Sequence, residues 1–167
     1  MEALIIRHAD AGTADSKEYP DDRLRPLSAE GKRDMLRVGH GMRRLGWEFD
    51  AIFDSGLVRA RQTSECVCEA YGIDSSKIRM LKTLAPDVPA EATAAELRKI
   101  RGLKSVALVG HEPHLSRFIG YLLAGETPLG IEMKKAAVCH LDVKRWVVAG
   151  GTLLALLPPK ALKRLGK

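Results

Sequence analysis

Three places in this chain combine charge and proton chemistry in a way that packing does not ask for. Arg7 and His8 stand side by side where the apolar run Leu4, Ile5, Ile6 stops. Arg59 and Arg61 lie shortly after Ser55, in the first turn of an expected helix. His111 follows a second apolar run, inside Gly110-His111-Glu112-Pro113-His114. An arginine and a histidine cannot be buried side by side in mid-strand without partners. At the strand's carboxyl end, where open α/β sheets bind their ligands, they are free to act. Cations at a helix N-terminus oppose the helix dipole, so two arginines there imply that an anion lies among them.

Two arginines, two histidines and a helix N-terminus suit a dianion such as a phosphoryl group. The guanidinium fork matches phosphate bidentately and keeps its charge, and backbone amides add donors. No Gly-rich loop with a lysine of the nucleotide-binding kind is present. No serine or cysteine has an obvious base beside it, but a histidine can itself be the nucleophile. Neutral imidazole attacks phosphorus, a phosphohistidine forms, and water hydrolyses it while the protein positions and neutralises charge. A neutral nucleophile predicts an acid limb in the rate near histidine's ordinary pKa of about 6.5.

The elements that must hold these residues follow from periodicity. Residues 4–6, 51–53 and 105–109 read as strands, and 78–81, 138–143 and 152–157 as further ones. Met35, Val38, Met42 and Leu45 repeat at helical spacing after Ser28, a suitable N-cap, with Gly46 as the stop. Ala60, Thr63, Val67 and Ala70 form one face of the next helix, and Gly72 ends it. Thr93 is expected to cap a short helix through Ile100, and another, with Pro113 in its first turn, to begin near Glu112 and reach about Leu123. Residues 12–26 form a long polar loop that starts at the first strand's carboxyl end and is expected to fold over the site. Alternating strands and helices predict an α/β fold, a three-layer α/β/α sandwich with a mostly parallel central sheet.

The 167 residues suit one domain over 1–167, with residues 158–167, rich in Lys160, Lys163, Arg164 and Lys167, expected as a solvated basic tail. A net charge of +6 fits a phosphorylated partner, while no aromatic-interleaved basic patch supports nucleic acid. No apolar run approaches the roughly 20 residues of a membrane span, so no membrane partner is expected. Three cysteines, with Cys66 and Cys68 facing different sides of one helix, form no disulfide framework and point to a reducing, cytoplasmic setting. His111 and His114 lack the zinc-helix spacing, so no metal and no other cofactor is expected. His40 and His140 read as surface or packing residues, His114 equally as a site residue or as a capping or solvent-facing group, and Asp10 as a partner for Arg7 or plain surface.

With these residues in view, Arg7-His8-Ala9, the run from Ser55 through Arg59 to Thr63, and Val109-Gly110-His111-Glu112-Pro113 together resemble the histidine phosphatase (phosphoglycerate-mutase-like) superfamily. The compact length and Arg25-Pro26-Leu27-Ser28 are similar to its SixA branch, the protein-phosphohistidine phosphatases. The resemblance implies a hydrolase of signal transduction with His8 as phosphoryl acceptor, Arg7 and Arg59 gripping the phosphate, and His111 donating to it. Arg25 and Ser55 are implied as further substrate contacts. It implies a phosphohistidine-containing protein as partner, with a small phosphomonoester or diphosphate, or a non-catalytic phosphate module, as alternatives. Two residues depart from the wider pattern: Ala9 replaces a usual Gly, and Gly56 a common Pro, which is expected to loosen the turn that aims Arg59. The proton donor for the leaving group is open among Asp21, Asp22, Asp87 and Glu91; an imidazole leaving group lessens the need for one.

Overall fold

A computed structural model describes residues 1–15, 17–125 and 129–167. The six strands are β1 (Glu2–Arg7), β2 (Ala51–Asp54), β3 (Ile78–Met80), β4 (Ser105–Gly110), β5 (Val138–Val143) and β6 (Gly151–Leu157). The helices are α1 (Ala29–Arg44), α2 (Val58–Tyr71), α3 (Ala90–Lys99), α4 (His114–Ala124) and α5 (Pro159–Leu165). Together they form a mixed α/β fold around one sheet of order β3-β2-β4-β1-β5-β6. β1 pairs in parallel with β4, as β2 does with β4 and β3; β5 is antiparallel to both β1 and β6.

Both faces of the sheet are apolar, as parallel strands require. The side-chain period of two sends Ala3 and Ile5 of β1 to a core with Phe118, Leu115 and Leu97 of α4 and α3. Leu4 and Ile6 go to the opposite core with Met35, Val38 and Met42 of α1, Val67 of α2 and Leu162 of α5. Three layers result, and the carboxyl ends of neighbouring β2, β4 and β1 open at one edge.

The helix signals perform as physics predicts at two ends. Ser28 Oγ accepts from Gly31 N at 2.9 Å at the start of α1, and Gly72 closes α2 at φ 68°. Two expectations need correction. Thr93 does not cap α3 but lies inside it, fully buried, while Pro89 occupies the cap. Residues 158–167 are not a solvated tail over their whole length: Pro159 is the first residue of α5, a position where its missing N–H is harmless. Leu162, the buried residue of this helix, packs against α1, while Lys163 pairs with Asp34 and Arg44 donates to the Leu165 carbonyl. The charges that suggested a tail coat the outer side of a packed helix. No helix among the described residues is long and apolar enough to cross a membrane.

Candidate active site

β1 ends at Arg7, so His8 lies just past the ladder with its N–H donating to the Gly110 carbonyl at 3.0 Å. The neighbouring pair of strands therefore delivers His8 and His111 side by side, with ring centroids 4.9 Å apart. His8 Nδ1 lies 2.7 Å from the Ala9 carbonyl, which can only accept. That bond places the proton on Nδ1 and leaves Nε2 with its lone pair. Burial, opposed by this bond and reinforced by Arg59, Arg7 and Arg25, pushes the imidazole down to about 4. His8 is thus neutral at pH 7, as a nucleophile must be, and the acid limb expected near 6.5 moves toward 4 in the unliganded site.

His111 is buried as well, and burial, followed by the neighbouring His8, Arg59, His114 and Arg7, pushes it down to about 2. Its Nε2 meets Ser55 Oγ at 2.7 Å. Ser55 Oγ also accepts from Leu57 N at 3.3 Å, and among the described residues it meets no other acceptor, so its hydroxyl hydrogen donates to Nε2. The network assigns the His111 proton to Nδ1, and that atom is buried without a hydrogen-bond partner among the described residues.

Two guanidinium groups complete the set. Arg7 Nη1 donates to the Met133 carbonyl at 2.7 Å, and Arg59 Nη1 to the Asp22 carbonyl at 2.8 Å with the Asp22 carboxylate 3.1 Å away. The Nε atoms of both arginines are buried and lack partners among the described residues. Buried donors are almost always satisfied. Three unsatisfied ones, all on cationic or polar side chains beside a neutral imidazole, describe an anion site whose ligand brings several acceptor oxygens.

Residues 3–85 match the family model described as the histidine phosphatase superfamily (branch 1). An uncharacterised protein of Picosynechococcus sp. (strain ATCC 27264 / PCC 7002 / PR-6) is 32% identical over 84% of this chain and 84% of its own. The chain belongs to the histidine phosphatase superfamily. Phosphohistidine phosphatase SixA of Escherichia coli (strain K12) is 28% identical over 85% of this histidine phosphatase and 86% of that protein. A structure of the protein histidine phosphatase SixA with tungstate superposes with a TM-score of 0.83 at 25% identity, covering 97% of this chain and 99% of that one.

The other positions singled out in this histidine phosphatase sequence divide. Ser55 is buried, with its hydroxyl engaged by His111 Nε2. Arg25 directs Nε to Asp22 at 2.7 Å and Nη1 to the carbonyls of Ala11 and Gly12 at 2.9 and 3.2 Å, so those donors hold the loop. Arg61 does not share an anion with Arg59: its Nε lies 3.1 Å from the buried Asp54 carboxylate, which answers the charge conflict at the helix start. Asp10 pairs with Lys135 and Ser28, not with Arg7. The turn after β2 is not loose. Gly56 adopts φ 86°, closed to proline, and its N–H donates to Asp54 Oδ1 at 2.8 Å.

Among the acid candidates, only Asp22 touches the set: it joins Arg25 to Arg59 at the rim, and those contacts hold its carboxyl below the usual range. Asp21 caps the Asp22–Leu24 turn and pairs with Arg23, Glu91 borders a groove with Ser116 and Arg117, and Asp87 is exposed. His114 faces neither solvent nor the site: it is fully buried, Nδ1 on the Val88 carbonyl at 2.8 Å, its ring stacked on Phe118. His140 packs on Trp47 and pairs with Glu2. All three cysteines are free and buried. No group of three metal-ligating side chains occurs among the described residues. Thr63 escaped sequence reasoning because it reads as one more position on the apolar face of α2. Its signals were a place four residues after Arg59 and at the end of the run that carries the resemblance, and neither gave it a role.

Proposed function

We propose that this phosphatase hydrolyses a phosphoryl group carried on a protein histidine, through a phosphohistidine formed at His8. In the first step His8 Nε2 bonds to phosphorus as the bond from phosphorus to the substrate's ring nitrogen breaks, and the departing imidazole takes that electron pair and a proton from solvent. In the second, water attacks the phosphorus, the bond to Nε2 breaks, and the proton lost by water leaves with phosphate or solvent. Arg7 and Arg59 neutralise the transferring oxygens, and His111 donates from Nδ1.

The observation that carries the reading is the trio of buried, unpartnered donors, Arg7 Nε, Arg59 Nε and His111 Nδ1, beside an imidazole locked as the Nδ1–H tautomer. Two features favour a nitrogen–phosphorus bond over an alkyl ester. The carboxyl at the rim, Asp22, is held ionised and is a poor proton donor, whereas imidazole leaves with less protonation than an alkoxide. The similarity to SixA points the same way. Free, buried cysteines suit a cytoplasmic place of action.

Purified protein without added metal is expected to release phosphate from a phosphohistidine-containing protein and from phosphoramidate faster than from alkyl phosphates or diphosphates, with His8→Ala inactive. Base-stable, acid-labile label on wild-type protein after rapid quenching is the expected intermediate. Faster turnover of alkyl esters selects the small-molecule alternative, loss of rate with a chelator selects a metal mechanism, and phosphate binding without turnover leaves only a binding module.

A further inference from the structure

We infer that Thr63 is a positioning residue that couples the tautomer of His8 to the location of Arg59. Thr63 is fully buried in α2. Its hydroxyl donates to the Arg59 carbonyl at 2.7 Å, one helical turn back. Threonines in helices often bond that way, and this contact alone means little. The same oxygen, however, accepts from the Ala9 N–H at 3.1 Å, from a residue fifty-four positions away. Ala9 lies beyond the end of β1, so the sheet gives its N–H no ladder partner. The far side of the same residue, the Ala9 carbonyl, receives the His8 Nδ1 proton at 2.7 Å.

One chain of hydrogen bonds therefore runs from the Arg59 backbone through the Thr63 hydroxyl and the Ala9 backbone to the His8 ring. Each link has a direction. The hydroxyl has one hydrogen, and the Arg59 carbonyl takes it, so its oxygen must be the acceptor for Ala9. The Ala9 carbonyl has no proton to give, so Nδ1 must be the donor and Nε2 the bare nitrogen. The chain thereby sets which imidazole nitrogen is nucleophilic and, through α2, how far that nitrogen stands from the guanidinium of Arg59. A hydroxyl is the group that meets both demands: valine copies the shape of threonine but neither accepts nor donates. Gln62, next along the helix, accepts from Leu27 N at 2.7 Å and secures the start of α1, so α2 holds two separate segments by adjacent residues.

This inference rests on His8 as the phosphoryl acceptor, and its test has a part that does not. Thr63→Val, Thr63→Ala and Thr63→Ser are compared with wild type by steady-state kinetics on phosphoramidate and by long-range proton–nitrogen NMR of the His8 ring. In the Val and Ala variants kcat is expected to fall by about 100-fold, the loss that a small displacement of a reacting group produces, with KM changed much less. Thr63→Ser is expected to recover most of the loss. The NMR spectrum is expected to show Nδ1–H alone in wild type and Ser, and a tautomer mixture in Val and Ala. If Val does not fold, Ala, which only removes atoms, carries the comparison. Equal impairment of Ser and Ala, or a His8 tautomer unchanged in Ala, overturns the inference. Wild type with the Nδ1–H tautomer but no turnover overturns the function proposed above and leaves the coupling standing.

Discussion

The Ser55 hydroxyl and the His111 imidazole meet at 2.7 Å inside the protein, and the direction of that bond decides what His111 can offer to a ligand. With no other acceptor near the Ser55 hydroxyl, its hydrogen goes to Nε2 and the ring proton stays on Nδ1, which has no partner among the described residues. Ser55→Ala is expected to lower kcat/KM by roughly 10- to 100-fold, the scale of losing one oriented donor to a developing charge. It should cost only about 1 kcal/mol of stability. Chemical denaturation run beside the kinetics separates the two. A kcat/KM within about threefold of wild type, the spread expected of a merely nearby contact, would show that His111 does not depend on Ser55.

Acid affects catalysis and stability through the same histidines, with signs that can be worked out. His8 and His111 are held below 6.5, at about 4 and about 2, mainly by burial. On lowering the pH the unfolded chain takes up these protons first. The stability they contribute is fully present above about 6.5 and declines as pH falls from there toward 4 for His8 and further for His111. The acid limb of kcat/KM, which reports the free enzyme, is expected nearer 4 than 6.5; that of kcat should lie higher, because bound phosphate favours the imidazolium. The profile is measured with an acid-stable aryl phosphate, each point checked for folding by circular dichroism. A kcat/KM limb at 6.5 with intact fold would mean that His8 is solvated in solution.

Asp22 lies between Arg25 and Arg59 with half its side chain exposed, 51%. Ion pairs so exposed contribute about 0–1 kcal/mol, so Asp22→Asn should leave the melting temperature nearly unchanged. Its effect belongs to the site. Removing one negative charge beside the phosphate arginines should tighten inhibition by inorganic phosphate about fivefold, equivalent to about 1 kcal/mol at a few ångströms in a wet environment. kcat should fall, because Arg59 Nη1 loses its carboxylate. Inhibition constants and kcat from one set of progress curves test both. Weaker phosphate inhibition together with higher kcat would reverse the assignment.

What could be read from the sequence was what neighbouring residues encode. β1, β2 and β4 declare themselves as apolar runs that stop at polar residues, and their parallel order then brings His8, Ser55 and His111 to one edge. What could not be read depends on partners far along the chain. Arg61 looked like a second phosphate ligand because its partner Asp54 could equally have been a strand-end site residue. His114 could be read as a site residue, a cap or a solvent-facing group; only Thr93 of α3 and the Val88 carbonyl, both distant in sequence, show it to be a buried packing residue. Thr63 closes the run that begins at Ser55, but its role could not be read there, since it depends on an N–H fifty-four residues away.

The clearest misreading from sequence, the charged end of the chain, also gives a stability prediction independent of the active site. α5 is seven residues long, too short to persist alone, so packing must hold it. The contact is close: a Cβ on Gly41 of α1 would come within 2.2 Å of the Leu162 carbonyl. Leu162→Ala empties a fully buried site and is expected to cost about 2–5 kcal/mol, and Gly41→Ala should also destabilise, because backbone stands in the way of the added methyl. Lys160→Ala, on the exposed side, should change stability by less than about 0.5 kcal/mol. Since this helix touches α1 and not the edge where His8 and His111 meet, kcat of all three variants should match wild type well below their melting temperatures. Thermal unfolding followed by circular dichroism, with kinetics at low temperature, makes the comparison. Leu162→Ala melting with wild type would return residues 158–167 to the status of a tail.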